Sequence, residues 1–341
     1  MKKILVTGGA GYIGSHTILE ILEKHTGEVI SADNYSNSSA DTYTRIKEIT
    51  GKQIIHYDID LCDAKATHKL FEEHKDIHGI IHFAAYKSVP ESVEKPLLYY
   101  HNNIESLVNV LICARDFNVP NFIFSSSCSV YGGIAQLPVS ESTPMGKVNS
   151  PYGYTKQVGE ELLKDFANTN TKTKIVALRY FNPVGAHPSG KIGEAPSQRP
   201  NNLVPMITKT AIGKYKEMMV YGNDYDTRDG TCIRDYVHVC DIANAHTSAL
   251  TYLDSSKNAP AFSVFNLGAG KGVSVMEIIK AFEEISAQKL NYVIAARRAG
   301  DIPAIYSDST LAKKLLGWEA KYLLEDMMSS AWKWELHLKN S

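Results

Sequence analysis

The strongest constraint on this chain lies in its first thirty-three positions. The apolar run "KILVTG" passes directly into Gly8-x-x-Gly11-x-x-Gly14, a helical stretch follows, and "EVISAD" then closes on Asp33. Strand, glycine turn, helix and strand in that order make a β-α-β unit. Its parallel strands need a crossover and cover on both faces. Glycines at such a turn let the backbone approach a diphosphate, which rests on the positive end of the following helix. A carboxylate at the end of the second strand accepts from a ribose 2′-hydroxyl and repels a 2′-phosphate. Asn34, next to it, offers no cation, so NAD is expected over NADP. The spacing is GxxGxxG rather than the GxGxxG of ordinary dehydrogenases, which makes the turn a variant. Taken alone, such a motif also describes a plain strand-helix turn.

The same alternation continues. "IIHYDI", "GIIHFAA", "NFIFSSS" and "KIVALRY" are short, continuously apolar runs, as strands buried on both faces are. Between them, "HNNIESLVNVLICARDF" puts Ile104, Leu107, Val108, Leu111 and Ile112 on one helical face. The expected fold class is α/β: a doubly wound parallel sheet (Rossmann) with a smaller α/β substrate-binding domain. Past Arg179 the pattern loosens in "NPVGAHPSGKIGEAPSQRPNNLVP". "VHVCDIANAHTSALTYL" with "FSVFNLGAG" then reads as one more helix-strand unit returning to the sheet. The expected division is 1–180, with a returning segment about 236–268, for the dinucleotide, and 181–235 with 269–341 for the substrate. A second glycine cluster, "NLGAGKGVSVMEII", has no acidic partner downstream. Ser274 and Glu277 have capping-box spacing there, so it reads as a turn and a helix start.

Charge and cysteine content exclude several classes. Lys plus Arg number 36 against 37 Asp plus Glu, so no global field draws the chain to nucleic acid or an anionic membrane. An anionic substrate would be held by a few placed cations. Cys62, Cys113, Cys128, Cys232 and Cys240 form no CxxC and, being five, cannot all pair, which suits free thiols in a reducing compartment. The first apolar run stops after Val6, short of a signal peptide's core, and no run reaches the length of a membrane span. A cytoplasmic setting is expected. No metal is expected: in "NDYDTRDG", Arg228 and Asp229 stand where a calcium loop needs Asp or Asn and then Gly, and the histidines show no HExxH.

The chemistry-bearing stretch is "SPYGYTK". Ser-Pro opens a helix, and Tyr152 and Lys156 then lie one turn apart on one face. A free tyrosine, with a pKa of about 10, is a poor base at neutral pH. A neighbouring ammonium and the positive ring of NAD⁺ favour the phenolate, and lowering its pKa to about 7 takes roughly 4 kcal/mol. Upstream, Ser125 to Ser127 end a predicted parallel strand, where doubly wound sheets place their ligands. On its own, YxxxK also describes a surface tyrosine over a lysine stem.

GxxGxxG, the serine-ended strand and YxxxK together resemble the extended short-chain dehydrogenase/reductases. "RYFNPVGAHPSGKIGE", "NNLVP", "YGNDYDTRDGTCIRDYVHV" and "ARRAGDIPA" narrow the resemblance to the UDP-glucose (UDP-galactose) 4-epimerases, over essentially the whole chain. The resemblance implies Tyr152 as acid/base, Lys156 as its activator and Ser127 as its hydrogen-bonding partner. It implies cofactor contacts at Gly8, Gly11, Tyr12, Ile13, Gly14, Asp33, Asn34, Asn37, Ser38, Asp60, Leu61, Phe83, Ala84, Lys87, Asn102 and Tyr180, besides Tyr152 and Lys156. For the sugar nucleotide it implies Ser127, Asn182, Asn202, Leu203, Tyr221, Arg234, Arg298 and Asp301, with Ile305 at the position that gates the sugar's 2-substituent. The implied activity is reversible C4 epimerisation of UDP-hexoses through a 4-keto sugar with transient hydride transfer to bound NAD. The implied assembly is a homodimer paired through helices near 101–118 and 152–167. Two other readings differ in class: a sugar-nucleotide 4,6-dehydratase, which carries Asp and Glu where this chain has Cys128 and Ser129, and a silent NAD-binding regulator, which would be expected to lack Tyr152 or Lys156.

Overall fold

The structure is a computed structural model and describes residues 2–134, 136–170, 172–196, 199–256, 258–298 and 300–340. Its strands, in chain order, are β1 Lys3–Thr7, β2 Glu28–Asp33, β3 Ile55–Asp58, β4 Ile77–His82, β5 Asn121–Ser127, β6 Lys174–Tyr180, β7 Asn182–Val184, β8 Met218–Tyr221, β9 Ile233–His238, β10 Phe262–Leu267, β11 Gly272–Ser274, β12 Tyr292–Ala295 and β13 Ala304–Ile305. Seven of them form one parallel sheet in the order β10-β6-β5-β4-β1-β2-β3. The crossovers leave β1 and β4 in opposite directions, and ligands of such sheets bind outside that switch point, at the strands' carboxyl ends.

The sheet is covered on both faces, as the continuous apolar runs require. On one face Val6, Ile81, Ile123 and Val176 pack with Ile18, Leu22, Ile242 and Leu250. On the other, Leu5, Ile80, Phe122 and Ile175 pack with Leu107, Val110, Leu111 and Leu163. The helix-strand unit after residue 238 does return: β10 lies beside β6, pairing Phe262 with Ile175 through Leu267 with Tyr180. β3 departs from the expected pattern. It is the sheet edge, and Ile55 is 53% exposed.

The remaining strands build a second lobe. β9 pairs with β7, β11 and β13, and β8 pairs in parallel with β12. Val204, Ile207, Ile278, Phe282 and Met328 form its apolar core. The second glycine cluster is a turn, and Ser274 with Glu277 makes the reciprocal capping box at the start of the helix Val275–Ser286. Asp229 accepts from the Thr231 backbone and hydroxyl, Arg228 pairs with Glu277 and Asp224 with Arg297, so "NDYDTRDG" is a polar turn tied to its neighbours.

Candidate active site

The carboxyl ends of β1, β2, β4, β5 and β6 open into one cleft of about 520 Å³. Its first half is a cradle that excludes side chains. Gly8 has φ +67°, and a Cβ there would stand 2.8 Å from the Ala84 nitrogen; a Cβ on Gly14 would stand 2.3 Å from the Gly8 oxygen. The first helix, Tyr12–Glu23, begins after Gly11 with no side chain capping it. Its opening N–H groups therefore remain for a ligand. Asp33 is held from three sides: its carboxylate accepts from the Ala10 N–H (3.0 Å), the Tyr35 N–H (2.9 Å) and the Ser38 hydroxyl (2.8 Å). The Ser106 hydroxyl is buried on the cleft wall without a hydrogen-bond partner. A backbone cradle with no room for a Cβ, a fixed carboxylate and an orphaned hydroxyl fit a dinucleotide. Every residue carried over as a cofactor contact, from Gly8 to Tyr180, lines this cleft.

The second half is built on β5 and the helix Pro151–Thr169. Ser150 caps that helix by accepting from the Gly153 N–H at 3.2 Å, with Pro151 at its first position. Tyr152 and Lys156 then both face β5. The Lys156 ammonium donates to the Ser125 carbonyl at 2.6 Å and lies 4.9 Å from the Phe124 ring centroid. Ser127 ends β5; its hydroxyl oxygen accepts from the Ser129 N–H and hydroxyl, and it hydrogen-bonds Tyr152.

The chain's own side chains act against the phenolate. Burial pushes the Tyr152 phenol up to about 12, and the Ser127 hydrogen bond draws it back only in part. Burial lowers Lys156 to about 7, against the pull of Glu160. The chain by itself thus moves Tyr152 away from neutrality rather than toward it. Its groups are withdrawn from water, and an amine weakened by the same burial cannot offset that.

The substrate residues separate into two sets. Ser127 and Asn202 line the cleft; Asn202 donates to Glu194 at 2.8 Å. Asn182 begins β7 between Phe181 and Pro183, which also line it. The others lie on the second lobe beyond the cleft's wall. Asp301 joins Arg298 (2.9 Å) to Arg234 (3.6 Å), and the Arg298 guanidinium lies 5.6 Å from the Tyr221 ring centroid. Ile305 pairs in register with Arg234 and is buried among Val130, Tyr131 and Phe181. Leu203 begins the helix Leu203–Ala211 and packs on the second core.

Known proteins share this arrangement. A family model described as GDP-mannose 4,6 dehydratase matches residues 5–331. The chain is 47% identical to the UDP-glucose 4-epimerase of Bacillus subtilis (strain 168) over 332 residues, 97% of this chain and 96% of that protein. The crystal structure of UDP-glucose 4-epimerase from Bifidobacterium longum in complex with NAD+ and UDP superposes with a TM-score of 0.95 at 45% identity, covering 99% of both chains. The UDP-Glc/GlcNAc 4-epimerase from Campylobacter jejuni superposes at 0.84 and 38% identity, over 99% of this chain and 100% of that one. The chain belongs to the UDP-glucose 4-epimerase family.

Within that family frame, the dehydratase description does not suit the site. After Ser127 stand Cys128 and Ser129, so no carboxylate follows the reacting hydroxyls. Burial holds the Cys128 thiol up at about 12, which suits a packing residue. Several cleft residues escaped the motifs. Ser106, outside every motif, follows the π-helical turn His101–Glu105, and the carbonyl role of Ser125 within the serine run could not be read from its side chain. Glu194 comes from the irregular segment and pairs with Lys87 at 3.2 Å. Cys62, His101 and Glu105 also bring ligand atoms within 4.8 Å of one another, a grouping that linear spacing conceals.

Proposed function

We propose that this protein is an NAD-dependent UDP-hexose 4-epimerase, an isomerase that interconverts UDP-galactose and UDP-glucose. One observation carries the reading: Tyr152, Lys156 and Ser127 converge at the end of β5, in the same cleft as the glycine cradle and Asp33. When bound, NAD supplies the reversible hydride acceptor that takes C4 of the sugar to a ketone and back. The glycine turn and the first helix would hold its diphosphate, and Asp33 its ribose. Tyr152, as phenolate, removes the proton of the C4 hydroxyl and later returns it. Lys156 holds the positive charge beside the phenol, and Ser127 orients the reacting oxygen. Arg234 and Arg298 anchor the substrate diphosphate through charge-assisted hydrogen bonds. The 4-keto sugar can then turn over without leaving.

The remaining assignments are parts of the same proposal. Residues 1–180 with about 236–268 hold the cofactor, and 181–235 with 269–341 hold the substrate. N-acetylated UDP-hexoses are accepted in part, because Ile305 is less bulky than a tyrosine. Subunits pair through 101–118 and 152–167, a reading supported by Ile112 (40% exposed) and Tyr154 (49% exposed) on those helices. Among the described residues no helix is long and apolar enough to cross a membrane, and the five cysteines are free, in keeping with a reducing cytoplasm. The direct test is conversion of UDP-galactose to UDP-glucose by NAD-loaded protein. Stoichiometric NAD without turnover of either sugar would replace this reading with that of a nucleotide sensor.

A further inference from the structure

We infer that Glu160 is a positioning residue for the catalytic pair: its buried carboxylate keeps Lys156 cationic and locks the serine strand on which Tyr152 and Lys156 both lean. This rests on the proposed epimerase reading. Glu160 is fully buried and Arg179 is 4% exposed. Arg179 grips Glu160 in a fork, Nε to Oε1 at 2.9 Å and Nη2 to Oε2 at 2.7 Å, and the Ser126 hydroxyl donates to the same carboxylate at 2.5 Å. The guanidinium's third arm, Nη1, donates to the Tyr131 hydroxyl at 2.9 Å, and that hydroxyl donates to Asn266 at 2.6 Å. Every member of the network is buried.

A buried ion pair is a poor device for stability, because a well-packed apolar pair of equal volume does as well or better. Its position suggests another use. Tyr152, Lys156 and Glu160 succeed one another at four-residue intervals on one helix, so phenol, ammonium and carboxylate form a single stripe. Ser126, held by Glu160, lies between Ser125, whose carbonyl accepts a hydrogen bond from the Lys156 ammonium, and Ser127, which meets Tyr152. One carboxylate therefore reaches both members of the pair, one by charge and one by backbone.

The charge is needed where it is. Around the Lys156 ammonium stand the Phe124 ring and the Ser125 carbonyl from β5, His82 from β4, and Tyr152 on its own helix. Among the described residues Glu160 is the anion that acts on it, and burial has already drawn Lys156 down to about 7. An amine that lost its proton before Tyr152 did would give the phenolate no help.

The test compares kcat against pH for NAD-loaded wild type and Glu160→Gln. With the anion gone, Lys156 gives up its proton sooner. The alkaline limb of kcat should move to lower pH by about one to two units, as expected for one partly shielded charge a helical turn away. KM for UDP-galactose should stay within about twofold, and bound NAD should be unchanged. A uniform fall in kcat with both limbs in place would mean a merely structural pair and overturn the inference. Glu160→Gln strands a buried arginine, so Glu160→Gln/Arg179→Met, which removes both charges, is measured alongside with circular dichroism as the folding check. It should shift the same limb in the same direction; an unmoved or upward limb in the folded double variant overturns the inference. An inactive wild type would instead defeat the functional reading.

Discussion

The Lys156 Nζ lies 5.9 Å from the centroid of the Tyr152 ring, one helical turn away. At roughly 6 Å and an effective dielectric of about 20, one full charge is worth about 3 kcal/mol, or some two pKa units. Burial has pushed the phenol up to about 12, so a phenolate near neutrality needs about 7 kcal/mol in all. A fully charged lysine leaves more than half of that unmet, and in stripped protein, where Lys156 loses its proton first, it offsets none of it. The account therefore needs a second cation beside the ring, and the oxidised cofactor carries one. NAD is expected to be an electrostatic part of the base as well as the redox partner.

Tyr152→Phe should lower kcat by about three orders of magnitude or more, since it removes a general base and a hydrogen-bonding group together. Bound NAD should remain, because the glycine cradle and Asp33 are untouched. Epimerisation assays beside absorbance measurement of released cofactor check both halves. Normal turnover by this variant would defeat the mechanism.

Gly14→Ala should cost the cofactor before it costs the sugar site. The added Cβ would fall 2.3 Å from the Gly8 oxygen, so the turn must move. We expect at least about a tenfold rise in the Kd for NAD, the scale of one or two kcal/mol. Calorimetric titration of stripped protein measures it. Unchanged affinity would remove the cradle from the binding site.

Arg298→Ala should raise KM for UDP-galactose by about tenfold or more, as expected for a charged hydrogen-bonding group worth about 1.5–3 kcal/mol. Its carboxylate partner Asp301 is shared with Arg234, so some of the rise comes from loosening that second arginine. The NAD content should be unaffected. A changed NAD content with an unchanged KM would place the cluster in the wrong half of the site.

Ile305 is 5% exposed and buried against Val130, Tyr131 and Phe181. Side-by-side assays should show turnover of UDP-N-acetylgalactosamine as well as UDP-galactose. Ile305→Tyr should suppress the first far more than the second. Brisk turnover of UDP-galactose with none of the N-acetylated sugar by the wild type would refute the idea.

The cofactor half was legible because its signals are local. Six continuously apolar runs became β1 to β6, and the glycine turn, Asp33 and YxxxK each read out over a few positions. What stayed hidden depends on neighbours far along the chain. Arg234, Arg298 and Asp301 were supplied by family motifs, and their cluster forms only when β9 meets the loop before β13. Of the helical face expected at Ile104, Leu107, Val108, Leu111 and Ile112, only Leu107 and Leu111 are buried, and Ile104 and Val108 are half-buried. A π-helical turn over His101–Glu105 precedes the helix, and the residues buried on the sheet are Leu107, Val110, Leu111 and Ala114, with Ile112 left 40% exposed. The upward shift of Tyr152 was equally unreadable, since it comes from burial in the assembled site.

Ultraviolet difference titration of wild type against Tyr152→Phe, with and without bound NAD, tests the central claim most directly. In stripped protein the Tyr152 signal should ionise at about 12, as burial dictates. With NAD⁺ bound, added positive charge favours the phenolate, and the transition should fall by several units to near neutrality. A ring that still ionises at about 12 with the cofactor in place would contradict the account.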